Sequence, residues 1–395
     1  MPDVRTRRES SVSRMPGGTS SFRLTSLELR EVRIPFRFSF KHALAERKEA
    51  NNLFVAIQAD SGHIGYGEVL PRPYLTGETV SSAWQDIGER YWPAVRSLEF
   101  RTDRPPSEAL RDVYLEADAS RKTGSYAGVD IAIHDAWGRV TETPGCALFG
   151  QVPRSQRLTC ALGGGGVPAV RWSGRLGKLL GFREFKLKTG RADDVKRIRA
   201  ARAILGHGCD LRIDANAGWT VDETLAMAHT LKQYDVSSIE QPIPAGNVED
   251  LARIQRETGV DVMADESLCS RSDAEALLAA RAANLWNVRL AKVGGFTGVL
   301  ELVGIARRAG VRIHLGVLVG ESAVLTAAGR ACAGLADFAH VECGFPRILL
   351  RHQPFSGDPG GYRGTGRPLR SPAGLGVEPN RAILDRFTVR KISLQ

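Results

Sequence analysis

From Arg23 onward polar and apolar residues alternate, first in FRLTSLELREVRIPF and again in NNLFVAIQADSGHIGYGEV, with Ser61-Gly62 marking a turn. A period of two is the mark of strands with one buried face, so the chain opens on a small antiparallel sheet. The period then lengthens. Through SSAWQDIGERYWPAV, PSEALRDVYLEA and YAGVDIAIHDAWGRV the apolar residues recur at three and four, which predicts helices. Sheet and helices together form an α+β domain expected over residues 22–150.

Beyond Arg157 the pattern changes again, to short apolar runs each followed by a helical stretch. The runs are RLTCALGG, EFKLKTG, DLRIDANAG, SSIEQPI, DVMADES, LWNVRLAKVGG, RIHLGVL and FAHVECG. Eight evenly spaced strands alternating with helices predict a parallel α/β barrel over residues 151–362, since an open doubly wound sheet rarely uses eight. The segment 363–395 holds a Pro/Gly-rich stretch and a strand-like end, FTVRKISL, expected to return to the first domain. Residues 1–21 are rich in Ser, Arg, Gly and Pro without apolar periodicity, which predicts a disordered extension, with Met15 as an alternative start. Asp3 and Glu9 and the lack of an apolar face argue against a transit peptide there.

A chain of 395 residues that is 43% hydrophobic and 25% charged has the makeup of a globular protein with a large core, here a barrel and a smaller companion domain. Lys and Arg outnumber Asp and Glu by 54 to 44. The excess is scattered along helical stretches, as at Arg197, Arg199 and Arg202, so no nucleic-acid partner is expected. No apolar run approaches the roughly 18 residues that cross a bilayer, so no membrane partner is expected and the cytoplasm is the expected compartment. The six cysteines form no CxxC pair and read as reduced thiols.

Charged residues recur at one place in successive barrel units. Lys188, Asp214, Glu240, Asp265 and Lys292 stand 26, 26, 25 and 27 residues apart, each where an apolar run gives way to a loop. In a parallel barrel these ends share one face, the face on which active sites are built. A lone Asp there is ordinarily a helix cap and a lone Lys a solvated end. Two lysines and three carboxylates in one register are not explained by capping. Asp214, Glu240 and Asp265 would repel one another without a cation among them, and oxygen-only ligands suit Mg²⁺, with Mn²⁺ as a substitute. Lys186 and Lys188, two apart on a strand, point to one side. Neighbouring positive charge and burial both favour a neutral amine, which makes Lys188 a candidate base, with Lys292 entering from the opposite wall. A proton α to a carboxylate leaves as such a base takes it only if the enediolate charge is met by a dication and an ammonium. The expected substrate is a small carboxylate.

These residues resemble the enolase superfamily, and within it the muconate cycloisomerase (muconate lactonizing) subgroup of the mandelate racemase/muconate lactonizing enzyme family. The resemblance runs from about residue 24 to the end. It rests on Lys186-Leu187-Lys188, Asp214-Ala215-Asn216, Glu240-Gln241-Pro242, Asp265-Glu266-Ser267 and Lys292-Val293-Gly294-Gly295. It implies a modified (β/α)7β barrel under an N-terminal α+β capping domain. It also implies Lys188 and Lys292 as acid/base catalysts, Lys186 and Asn216 in support, and Asp214, Glu240 and Asp265 as metal ligands. Gly320-Glu321-Ser322 is similar to the seventh-strand motif whose glutamate meets the substrate. Capping loops around Phe38–Asn51 and Gly67–Gly77 would choose the substrate; read from the residues themselves, Lys41, His42, Arg47, Arg72 and Tyr74 there are either a basic lid contacting an anionic substrate tail or, as basic loop residues mostly are, solvated. One departure stands out: dipeptide epimerases of the subgroup carry Asp-x-Asp at the eighth strand to hold an ammonium, whereas this chain has His340-Val341-Glu342-Cys343-Gly344, leaving Glu342 either to bind a substrate cation or to make a structural hydrogen bond.

Racemisation, epimerisation and cycloisomerisation are the expected reactions. The same lysines would serve a syn-dehydration of the o-succinylbenzoate synthase type, and a metal-binding barrel without catalysis is the alternative from another class. A Schiff-base enzyme would leave the three carboxylates unexplained. His314, inside RIHLGVL, reads as a hydrogen-bonded core histidine. A homo-oligomer is open, since such barrels often assemble symmetrically.

Overall fold

The computed structural model describes residues 21–42, 45–150, 155–357 and 363–395. Most of the extension expected at residues 1–21, Met15 included, lies outside them; Ser21 already belongs to the first strand.

The alternating segments form an antiparallel sheet of β1 (Ser21–His42), β2 (Ala45–Ala59) and β3 (Ile64–Val69). Period two turns Leu27, Leu29, Val32 and Ile34 inward, and all are buried. The stretch expected as a loop at Phe38–Asn51 is instead the end of the β1–β2 hairpin, with Phe40 opposite Arg47 and His42 opposite Ala45. Helix α1 (Thr123–Val140) lies across β3. It approaches so closely that a Cβ at Gly67 would stand 1.8 Å from the Gly128 carbonyl oxygen, and one at Gly65 2.1 Å from that of Ala132. Residues 123–138 of α1 are buried on every side, because the cap sheet covers one face and barrel helices cover another. The helix expected from Pro106 starts at Arg111. The one expected over 81–95 is interrupted by a wide turn at Asp86–Tyr91, where Pro93 can give no hydrogen bond to the preceding turn.

The eight apolar runs become eight parallel strands, each hydrogen-bonded to the next in chain order. They are β4 (Thr159–Leu162), β5 (Glu184–Lys188), β6 (Asp210–Asp214), β7 (Ser238–Glu240), β8 (Asp261–Ala264), β9 (Leu285–Val288), β10 (Arg312–Leu315) and β11 (His340–Val341). Helices occupy the seven intervals, the last two being α2 (Gly295–Ala309) and α3 (Ala323–Cys332), which is the expected (β/α)7β order. The C-terminal β12 (Thr388–Leu394) returns to pair antiparallel with β1, Leu27 opposite Leu394. Among the described residues no helix is long and apolar enough to cross a membrane.

Cap and barrel are joined by buried carboxylates at helix N-termini, where unpaired backbone N–H groups and the helix dipole attract negative charge. Asp130 of α1 accepts from Phe296 N at 2.6 Å and from the Thr297 hydroxyl, at the start of α2. Glu68 of β3 accepts from Ser322 N at 2.9 Å and Leu325 N at 3.1 Å, at the start of α3. Thr123 Oγ1 donates to the Lys292 carbonyl at 2.7 Å. Gly294 and Gly295 take positive φ of 93° and 69°, and a Cβ at Gly295 would lie 2.4 Å from Asp130 Oδ1. Gly294 and Gly295 are therefore what lets the cap approach this end of the barrel so closely.

Replacing Gly67 by Ala forces a methyl into the Gly128 carbonyl. Overpacking of this kind should cost about 3 kcal/mol, read as a lower midpoint in chemical denaturation, and an unchanged midpoint would show that α1 can lift off β3.

Candidate active site

Lys188, Asp214 and Glu240 are the last residues of β5, β6 and β7, and strand register sets Lys188 beside Asp214 and Asp214 beside Glu240. Asp265 directly follows β8. Lys292 lies four residues past β9, on a single helical turn at Leu290–Val293. The five recurring charges thus meet at one end of the barrel. Backbone strain gathers beside them, with Asn216, Ala217 and Gln241 at positive φ of 46°, 58° and 35°.

Lys186 sits among three carboxylates, its Nζ 3.0 Å from Asp214 Oδ2, 2.8 Å from Glu240 Oε2 and 3.0 Å from Glu342 Oε1. Burial opposes its charge, but Asp214, Glu240 and Glu342 overcome that and hold the ammonium well above the ordinary lysine range. Lys188 Nζ donates to Asn216 Oδ1 at 2.9 Å and stands 3.5 Å from Asp214 Oδ2. Lys292 is fully buried and gives its hydrogen bonds to Asp265 O at 2.7 Å, Asp265 Oδ1 at 2.9 Å and Asn287 O at 2.8 Å.

The sequence reading missed four residues here. Arg289 Nη2 lies 2.5 Å from Asp265 Oδ2 and 3.2 Å from Glu240 Oε1, between two of the three expected ligands. Asn287 Nδ2 donates to Glu240 Oε1 at 2.8 Å. Gln241 Oε1 accepts from Asp265 N and Ser267 N, both at 3.0 Å, and so fixes the loop that carries Asp265. Glu266 faces the same space, and burial followed by the charges of Asp265 and Asp214 pushes its carboxyl up to about 8. A signal for Asn287 and Arg289 was present, since they alternate on and just after β9 as Lys186 and Lys188 do on β5.

A cavity opens over this cluster. Its polar floor is Lys186, Lys188, Asn216, Glu266 and Arg289, and its apolar wall includes Phe38, Val317, Leu318, Phe345, Ile348 and Leu349. Tyr74 lines it, with the Arg47 guanidinium 5.9 Å from the ring centre. The side chains of Lys41 and His42 lie outside the described residues. Arg72 is no solvated lid: it is buried, and Nη2 donates to Val319 O at 2.8 Å. Burial and then the charge of Arg47 lower its pKa to about 10. Glu321 lines the cavity and accepts from Leu318 N at 2.6 Å, and burial pushes its carboxyl up to about 8. Glu342 lines the cavity too, but both oxygens are engaged: Oε1 with Lys186, Oε2 with Val317 N at 3.3 Å.

The donor set suits a hard dication. Asp214 Oδ2 and Asp265 Oδ2 are buried beside cations yet accept no hydrogen bond of ordinary geometry, and Glu266 Oε2 next to them accepts none. Among the described residues no three acidic, histidine or cysteine side chains close into a ligand cage. Arg289 and Lys186 stand between the carboxylates instead, and supply the positive charge that the cluster requires.

Residues 174–383 match the family model described as enolase C-terminal domain-like. The hydrophobic dipeptide epimerase of Enterococcus faecalis is 28% identical over 324 residues, covering 81% of this chain and 90% of that protein. The N-succinyl-L-Arg/Lys racemase of Bacillus cereus is 28% identical over 318 residues, 78% of this chain and 83% of that protein. The crystal structure of the N-succinyl Arg/Lys racemase from Bacillus cereus is similar at a TM-score of 0.83 and 25% identity, covering 94% of this chain and 100% of that one. The dipeptide epimerase from Cytophaga hutchinsonii, complexed with Mg and the dipeptide D-Ala-L-Val, gives 0.81 and 26%, with the same coverage. The relatives named here are epimerases and a racemase, where the sequence reading had pointed to the cycloisomerase subgroup.

Two outcomes follow from the geometry. Asp265→Asn should weaken Mg²⁺ binding, measured by calorimetry, by more than about tenfold; unchanged affinity would remove Asp265 from the ligand set. Glu321, with a folded pKa near 8 and an unfolded value near 4.5, contributes stability that is complete below the unfolded value and is lost as pH rises through the folded one. Glu321→Gln should therefore match the wild type in melting temperature near pH 5 and exceed it above pH 8, and parallel curves would refute the shift.

Proposed function

The chain belongs to the enolase superfamily, in its mandelate racemase/muconate lactonizing enzyme family, and from that premise we propose which residues do its chemistry and which substrates it takes. It is a Mg²⁺-dependent isomerase of the racemase and epimerase type, removing the proton α to a carboxylate. Lys188 ends the second barrel strand and Lys292 follows the sixth, four strands round, with the strands that carry Asp214, Glu240 and Asp265 between them. That placement carries the reading: one lysine takes the proton from one side of the α-carbon and the other returns a proton to the opposite side. Asp214, Glu240 and Asp265 would hold Mg²⁺, which when bound supplies positive charge where the departing proton leaves negative charge behind. Lys186 adds a fixed ammonium on the same side, and Asn216 orients Lys188 through its 2.9 Å hydrogen bond.

The substrate reading rests on Glu342. Both its oxygens are taken by protein donors, so the eighth strand offers a substrate ammonium no unengaged carboxylate. An α-nitrogen carried as an amide avoids that cost, and the apolar wall of Val317, Phe345, Ile348 and Leu349 suits a hydrophobic acyl or side-chain group. The substrate class proposed is an N-acylated amino acid or a peptide recognised without its terminal ammonium. Tyr74 and Glu321 stand at the cavity edge as further contacts. The cycloisomerase subgroup shares the lysine pair, and the product tells the two apart: inverted configuration in one case, a new ring in the other.

α-Proton exchange in D₂O with Mg²⁺, followed by mass spectrometry on N-acylamino acids, dipeptides and other small carboxylates, tests this. Deuterium should enter N-acylated compounds preferentially, and Lys188→Ala and Lys292→Ala should each reduce turnover by about 10³-fold. Exchange that survives both substitutions would overturn the lysine assignment, and preference for free dipeptides would overturn the substrate class.

A further inference from the structure

Parallel barrels fill their interior with branched apolar side chains, yet the layer beneath this site is polar and charged. Arg212 of β6 is buried, with Nε 3.0 Å from Asp210 Oδ2, Nη2 donating to the Thr159 hydroxyl and Nη1 3.1 Å from His314 Nδ1. Further round, His340 Nδ1 meets Glu184 Oε2 at 2.9 Å. The far side of the His314 ring, Nε2, faces Glu342 Oε1 at 3.6 Å, and the same oxygen is 3.0 Å from Lys186 Nζ. An unbroken row of side chains therefore runs from Arg212 through His314 and Glu342 to Lys186.

The chemistry of the first pair decides the state of the histidine. A guanidinium only donates, so His314 Nδ1 must present its lone pair to Arg212, and the ring proton lies on Nε2. Burial, helped by the Arg212 charge and opposed by Glu342, lowers the pKa of the imidazole. The Nε2 position is buried and makes no ordinary hydrogen bond, which leaves Glu342 as the carboxylate it faces. Glu342 is drawn toward two cations, Lys186 and Arg289, and its backbone anchor is the single long bond from Val317 N.

We propose that His314 is a positioning residue: locked by Arg212 as the Nε2–H tautomer, it braces Glu342, so that Lys186 is shared with Glu342 and does not settle wholly onto Asp214 and Glu240. The consequence is access. An ammonium divided three ways leaves Asp214 and Glu240 able to take a dication, whereas one given up entirely to them competes with it. This inference rests on the reading that Asp214 and Glu240 hold Mg²⁺, and it concerns metal affinity, so it needs no substrate.

The test is Mg²⁺ titration by calorimetry on wild type, His314→Phe, His314→Gln, Glu342→Gln and the His314→Phe/Glu342→Gln pair. Glutamine keeps an N–H donor near the Nε2 position and serves as the conservative rescue. His314→Phe and Glu342→Gln should each weaken binding by about tenfold, His314→Gln by less than about threefold, and the pair no more than Glu342→Gln alone, since both act on one link. Equal affinity in wild type and His314→Phe, or losses that add in the pair, would overturn the proposal. If the wild type takes up no Mg²⁺, the reading of the carboxylates fails, and the positioning role with it. ¹⁵N spectra of histidine-labelled protein, with His314 assigned by its absence in His314→Gln, give a separate readout: a protonated Nε2 and bare Nδ1 across pH 6–8 support the brace, and a protonated Nδ1 refutes it even where the titrations agree.

Discussion

Everything at the mouth of this barrel follows from the crowding of negative charge. Asp214 and Glu240 are register neighbours, Asp265 follows on the next strand, and Glu266 and Glu342 crowd the same space. Carboxylates this close, out of water, demand cations. The protein meets the demand with Lys186, Arg289 and Lys292, each given to a different subset of the oxygens. The cations of the site are thus what makes it electrostatically tolerable. A change at any one is felt by its neighbours through charge as well as through contact.

The second constraint comes from the cap. Asp130 and Glu68 reach across to the N-termini of α2 and α3, the helices that follow the sixth and seventh barrel strands. Burial raises the Glu68 carboxyl to about 7, while the donors from Ser322, Leu325 and Asn52 favour its charged form. The turn that carries Lys292 is held from the same side, by Thr123 on its carbonyl. Cap residues so placed tie the first domain to the barrel wall around the site.

Much of this was legible in the sequence because it repeats. The barrel period set five charged residues in one register, and every one stands at the same end of the structure. The strand alternation at Lys186 and Lys188 told truly which side both would face. What stayed hidden depends on contacts distant in sequence. Arg72 reads as a surface arginine until the Val319 carbonyl, 247 residues away, is seen beneath it. Glu342 reads equally as a ligand for a cation or as a structural acceptor, and only the contacts with Lys186 and Val317 decide for the second. The Phe38–Asn51 stretch failed as a loop because its weak alternation hid a strand pairing that continues nearly to the hairpin tip. Arg289 was overlooked although it alternates with Asn287, because the partners that give it meaning, Glu240 and Asp265, come from two other strands.

Arg72 has a bearing on how such enzymes diverge. Its guanidinium belongs to the cap, yet it donates to Pro71 O in its own loop and to Val319 O in the seventh-strand loop that walls the cavity. A cap transplanted from a relative lacking that arginine would leave the half-buried Val319 carbonyl without its donor, and the loop that walls the cavity without that tie. New specificities in this scaffold would then have to be inherited as matched pairs of loops, so that the two domains drift together along a lineage even though they fold from separate stretches of chain.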